Sequence, residues 1–98
     1  MISKTPAKNG KTTKVTFELP PESAHQRVCL CGDFNDWSQE ATPLTRRKDG
    51  RFSATLTLPQ GKTYRFKYFV DGERWENDTA ADEYVDNDYG SKDSVVIV

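Results

Sequence analysis

Three kinds of side chain in this sequence could do chemistry: carboxylates, a pair of cysteines, and large aromatics set among polar residues. Asp and Glu together number 15, and a pair of carboxylates is what glycosidases work with. Nothing in the sequence fixes two of them across a cleft, and 98 residues leave little room for one. The single His25 follows Pro20-Pro21 in a loop, with no G-x-S-x-G or comparable nucleophile motif to serve. Catalysis by this chain is not expected. Cys29 and Cys31 with the distant His25 fall short of the four ligands a zinc site wants. As alternate residues of a strand-like run the two cysteines project to one face, and a disulfide between them would distort the strand. They read as reduced thiols packed as small apolar groups, in agreement with a reducing compartment. Asp86-Asn87-Asp88 brings oxygens close together as a calcium loop does, but Gly90 stands at the fifth position and Ile97 where a closing Glu belongs. A solvated acidic loop is the preferred reading, and neither metal nor cofactor is expected. The aromatics remain. Phe34 and Trp37 lie inside G-D-F-N-D-W (32–37), and Trp75 is flanked by Glu73, Arg74, Glu76 and Asn77. Large apolar rings in such company are either loop anchors or contact surfaces.

Composition narrows the partners of such surfaces. Ninety-eight residues make one small domain, able to bury somewhat over ~60% of the surface it exposes when unfolded. Hydrophobic content of 35% against 30% charged residues is on the polar side, and 11% aromatic residues supply large apolar side chains in compensation. The net charge is −1, and since residues 1–12 hold Lys4, Lys8 and Lys11 with no acid, −4 is left for the rest. Residues 71–93 carry nine acids against Arg74 and Lys92. That is the wrong sign for a phosphate backbone, so nucleic acid is not expected as a partner. No apolar run approaches the roughly 18 residues of a membrane span, and the N-terminus lacks the apolar stretch of a secretory signal. A cytoplasmic monomer that does not touch membrane is expected.

Strands must position the aromatics. Residues 64–70 alternate, with Tyr64, Phe66, Tyr68 and Val70 on one side and Arg65, Lys67 and Phe69 on the other, as in a half-buried strand. Asp71-Gly72 then reads as a two-residue hairpin turn returning the chain through Trp75. Upstream, residues 1–12 have almost no apolar content and read as a mobile tail. Val15, Phe17 and Leu19 mark a strand with one wet face, ended by Pro20-Pro21. Residues 27–32 are apolar on both faces, which suggests an interior strand. A short strand is expected within 42–47, and Phe52, Ala54, Leu56 and Leu58 share one face of another. Turns at 49–50, 60–61 and 71–72 recur about eleven residues apart, the spacing of an antiparallel meander. Residues 76–93 lose regular alternation, yet Tyr84, Val85 and Tyr89 give this loop something to pack with. Ser94-Val95-Val96-Ile97-Val98 closes the chain as a β-branched strand expected to pair with the N-terminal one. No helix is expected. The reading is all-β: an immunoglobulin-like antiparallel β-sandwich of about six to eight short strands over residues 13–98.

G-D-F-N-D-W at 32–37, Pro43-Leu44, Y-R-F-K-Y-F-V-D-G-E-R-W at 64–75 and the late Tyr89-Gly90 before a terminal strand together resemble the isoamylase N-terminal, early-set family. That family includes carbohydrate-binding module family 48 and the glycogen-binding domain of the AMP-activated protein kinase beta subunit. The likeness runs from about residue 15 to 98. It implies a non-catalytic sandwich that binds α-glucan such as glycogen, starch or maltooligosaccharide, with an accessory relation to glycoside hydrolase family 13 enzymes. The partners it implies are the glucan and a glucan-active enzyme or other protein. By resemblance the sugar site consists of Trp37, Lys67 and Trp75, with Tyr89 and Asp93 contributing. Asp93 stands where an amide is common, and Asp78-Thr79 where Asp-Pro is common.

Those residue types suit a sugar. A flat indole offers the C–H faces of a glucose ring a large apolar platform with little side-chain freedom to lose. The hydroxyls at the ring edge want donors and acceptors at fixed positions, which an ammonium and a carboxylate or amide supply. Each residue also has a plainer reading: Trp37 as a loop anchor, Lys67 as a solvated strand residue, Phe69 as a cover for the sheet. The alternative for the whole chain is a structural or protein-interaction module of the early-set kind that has lost sugar binding.

Overall fold

The alternating segments fold into two sheets laid face to face. The structure, a computed structural model, describes residues 2–20 and 26–98, so Pro21 and His25 lie outside the described residues. Its strands are β1 (Ile2–Pro6), β2 (Thr12–Leu19), β3 (Val28–Gly32), β4 (Thr45–Arg46), β5 (Phe52–Pro59), β6 (Thr63–Val70), β7 (Arg74–Glu76), β8 (Glu83–Asp86) and β9 (Lys92–Ile97). Every pairing is antiparallel. One sheet has the order β1-β2-β5-β4, the other β3-β6-β9-β8, with β7 beside β6. Among the described residues there is no α-helix, and no helix long and apolar enough to cross a membrane. The architecture is the immunoglobulin-like β-sandwich that the alternation predicts.

The inner faces supply the core. Val15, Phe17 and Leu19 of β2 and Phe52 and Leu58 of β5 meet Val28, Leu30, Phe66, Tyr68, Val70 and Val96 from the opposite sheet. Phe66 stands edge-on to Phe17 at 5.0 Å and to Tyr68 at 5.8 Å between ring centroids. Each large side chain buried this way stabilises the fold by roughly 1.5–3 kcal/mol relative to exposure.

Several expectations are corrected. Ile2–Pro6, expected within a mobile tail, is an edge strand paired with β2 from Ile2↔Phe17 to Pro6↔Thr13. Pairing of this kind uses backbone groups, which the polar sequence supplies as well as an apolar one would. Lys4 adds a 2.6 Å ion pair to Asp82. Burial pushes the Asp82 carboxyl up, but the Ile97 N–H and the Lys4 ammonium outweigh it and hold the group below its ordinary value. The turn at 60–61 carries the chain from one sheet to the other instead of closing a hairpin, because β2 and β4 already occupy both edges of β5. The last strand pairs with β6 and β8, not with the N-terminal strand. β3 is buried throughout, yet only one of its edges meets a strand. Its other edge is covered by residues 42–44, through Leu30 N–H to Thr42 O and Leu44 N–H to Val28 O, both 2.8 Å. Three residues, 71–73, separate the paired Val70 and Arg74, one more than a two-residue turn. The irregular stretch contains β8, and within it Tyr89 does not pack, being 92% exposed.

Candidate functional site

The hexapeptide at 32–37 is a fitted device in which each residue has a distinct part. Gly32 ends β3 where a Cβ would lie 2.5 Å from the Arg65 carbonyl oxygen and 2.9 Å from Phe66 Cβ, so only glycine allows this approach. Asp33 opens a single 3₁₀ turn (Asp33–Asn35). Its Oδ2 accepts the Arg65 N–H at 2.9 Å and its Oδ1 the Trp37 indole N–H at 3.0 Å. Phe34 turns inward, its ring centroid 5.8 Å from Phe17 and 6.0 Å from Tyr64. Asn35 donates to Leu30 O at 2.9 Å and to Thr42 Oγ1 at 3.0 Å, and accepts the Gly32 N–H at 3.1 Å. Asp36 and Trp37 then take left-handed backbone conformations, φ 56° and 58°. For a residue as bulky as Trp that is strained, by roughly 1–3 kcal/mol, and it persists only where the surroundings enforce it. The Trp37 N–H donated to Gly32 O at 2.9 Å is part of that enforcement. Of the two aromatics in the loop, Phe34 is the anchor and Trp37 the one presented outward.

The second indole arrives by strand register. Because Phe66, Tyr68 and Val70 face the core, Lys67 and Phe69 face outward. Trp75 of β7 pairs with Phe69 across the turn and shares its face. Their rings lie 4.6 Å apart at 40°. Trp75 is 41% exposed, Trp37 half-buried, and the two indoles meet with centroids 6.4 Å apart, tilted by 62°. The result is a stepped aromatic surface of Trp37, Trp75 and Phe69 on the outside of the five-stranded sheet. It is a platform more than a pit, since a cavity of about 180 Å³ lined by Arg27, Cys29, Gln39, Glu40 and Gly72 shares with it only Phe69.

A polar cluster occupies the next position along the same face. Lys67 Nζ donates to Ser91 Oγ at 3.2 Å and stands 4.0 Å from Asp93 Oδ1. Asn87 joins them, donating to Asp93 Oδ1 at 2.8 Å and to Ser91 Oγ at 3.0 Å, while its own Oδ1 accepts the N–H groups of Tyr89 and Ser91. Ser91 was not singled out from the sequence, and Asn87 only within the calcium-loop pattern that was set aside. The signal that could have found them is the turn composition D-N-D-Y-G-S, in which an Asn side chain bonds to backbone two residues on. Of the five residues indicated by resemblance, Trp37 and Trp75 are in contact, Lys67 and Asp93 form a second pair, and Tyr89 projects from the turn between β8 and β9 without an aromatic partner among the described residues.

Cys29 and Cys31 share this face beside the platform, paired in register with Phe69 and Lys67, and both are free and buried. Burial, with Cys29 adding to it, pushes the Cys31 thiol up to about 11. A thiol so shifted is a packing group, not a nucleophile. Among the described residues no group of three or more His, Cys, Asp or Glu could hold a metal ion.

Residues 12–98 match the family described as the glycogen recognition site of AMP-activated protein kinase. The chain is also similar to the 1,4-alpha-glucan branching enzyme GlgB of Aquifex aeolicus (strain VF5), with 36% identity over 52 residues. That stretch is 52% of this chain and 8% of the enzyme.

Proposed function

The chain belongs to the family of the glycogen recognition site of AMP-activated protein kinase, and from that premise we propose that residues 13–98 form a non-catalytic module that binds α-glucan through Trp37, Lys67 and Trp75. The observation that carries this reading is the convergence of two indoles, 38 positions apart in the chain, to 6.4 Å on one face of the sheet. One face of a glucose unit lies on Trp75 and Phe69, and the next unit of the curved chain turns against Trp37. Lys67 and Asp93 meet hydroxyls at the ring edge, and Tyr89 bounds the surface on the far side. The strained backbone of Trp37 supports a binding role, since an indole kept only as a loop anchor has no need of a left-handed conformation. The likeness to a branching enzyme supports a place beside a glucan-active enzyme. The free thiols suit a reducing compartment such as the cytoplasm.

Titration with maltoheptaose, followed by tryptophan fluorescence and by calorimetry, tests the reading. Wild type is expected to saturate, and Trp75→Ala to weaken binding by roughly 30-fold or more, as removal of a central aromatic anchor does. A wild-type protein silent at millimolar maltoheptaose would instead mark a packing module without sugar binding.

A further inference from the structure

Trp37 reaches the platform from a three-residue 3₁₀ turn, and its backbone and its ring are held by different groups. Main-chain bonds hold the backbone, Trp37 N–H to Gly32 O at 2.9 Å and Ser38 N–H to Asn35 O at 3.2 Å, while the Asn35 side chain ties the turn to Leu30 and Thr42. None of these contacts touches the indole. The one hydrogen bond that the ring makes among the described residues runs from Nε1 to Asp33 Oδ1, at 3.0 Å. The other oxygen of the same carboxylate is committed to β6. The pairing of β3 with β6 ends at Gly32↔Phe66, and one residue on, the Arg65 N–H is taken by Asp33 Oδ2 at 2.9 Å. Asp33 thereby fixes the indole relative to the strand that also carries Lys67 and Phe69. An ionised carboxylate suits this place because it only accepts, and both of its neighbours are donors. An amide could match one of them and would turn its own N–H groups toward the other.

Resting on the glucan reading above, we propose that Asp33 is a positioning residue: it touches no sugar, and it sets the orientation in which the Trp37 ring meets one. The half-buried ring stands 6.4 Å from Trp75 at 62°, and a loop side chain has other staggered rotamers that would lose this relation. Fixing the ring before the ligand arrives removes an ordering cost from binding. Because its N–H is engaged by Asp33, Trp37 offers a sugar the apolar face of the indole and no hydrogen bond.

Calorimetric titration of the full chain with maltoheptaose, in wild type, Asp33→Ala, Trp37→Phe and the double variant, tests this role, with urea unfolding of each as the control. Asp33→Ala is expected to weaken binding by about fivefold, the scale of one hydrogen bond. Phenylalanine has no N–H for Asp33 to hold, so in the Trp37→Phe background the same change is expected to weaken binding by less than about twofold. An effect of equal size in both backgrounds, or an Asp33→Ala protein that unfolds at lower urea yet binds as wild type does, overturns the assignment. Should Asp33→Ala fail to fold, or Trp37→Phe bind too weakly to titrate, hydrogen exchange of the two indole N–H groups in wild type decides. That of Trp37 is expected to be slower than that of Trp75, whose Nε1 has no acceptor among the described residues, and equal rates overturn the assignment. Binding of maltoheptaose that is indifferent to Asp33 refutes this inference alone, whereas no binding by wild type refutes the glucan reading and this inference with it.

Discussion

Tyr68 spans the core and donates its hydroxyl to Asp78 Oδ2 at 2.7 Å, where the carboxylate also accepts the Ala80 N–H at 2.7 Å and the Asp78 N–H donates to Ser94 Oγ at 2.9 Å. Burial pushes the Tyr68 hydroxyl well above its ordinary value, and the Asp78 charge adds to the shift. The native protein therefore keeps this proton to higher pH than the unfolded chain does. The stability this contributes is full below the unfolded value of about 10 and is lost as pH rises above it. Tyr68→Phe leaves a buried carboxylate one donor short and is expected to destabilise by about 1–3 kcal/mol, read from urea unfolding at neutral pH. The same variant should also flatten the loss of stability above pH ~10. None of this is legible in the sequence, where Asp78 is one acid among nine in residues 71–93. Trp75 was legible for the opposite reason: a large ring among charges has no place in a pattern of burial. The cysteine pair was legible too, since alternate residues of a strand share a face whatever the tertiary context.

At the scale of elements, β6 organises the molecule because its two faces do different work, core on one side and Lys67 and Phe69 on the other. That division follows from period-two alternation alone, and so the strand and its outward residues could be read directly. The partners of each strand could not. Alternation says which face is wet but not which edge is free, hence the misassigned pairing of β9 and of the turn at 60–61. β1 was invisible because an edge strand with Lys4 and Pro6 carries the polar residues that protect edges, and polar composition reads as a tail. The loop at 32–37 joins the core to the platform through Gly32, whose φ of −174° any residue could adopt. Its constraint is space. A methyl group there would press on the Arg65 carbonyl at 2.5 Å, and backbone within a sheet does not move cheaply. Gly32→Ala is expected to cost about 1–3 kcal/mol in thermal unfolding, the range for an overpacked site. It should also shift the Trp37 backbone amide resonance, because that N–H is tied to Gly32 O at 2.9 Å.

For the whole molecule, the inner faces of two sheets hold the fold together and leave the outer face of one of them to carry the proposed site. The platform joins a loop, strand β6, strand β7 and the turn between β8 and β9, segments distant in the chain that meet on the outside of the sandwich. A ligand that bridges them should therefore stabilise the folded state and have no comparable site in the unfolded chain. At ten times its dissociation constant such a ligand adds about 1.4 kcal/mol by mass action. For a domain of this size that corresponds to a rise in Tm of roughly 5–10 °C. Differential scanning calorimetry with and without maltoheptaose is expected to show that rise in wild type. Trp75→Ala, which removes half of the indole pair and no core residue, should unfold near the wild-type temperature without sugar and gain nothing when sugar is added. If the sugar raises the Tm of both proteins equally, the platform is not where it binds, because the stabilisation then does not depend on the contact between Trp37 and Trp75.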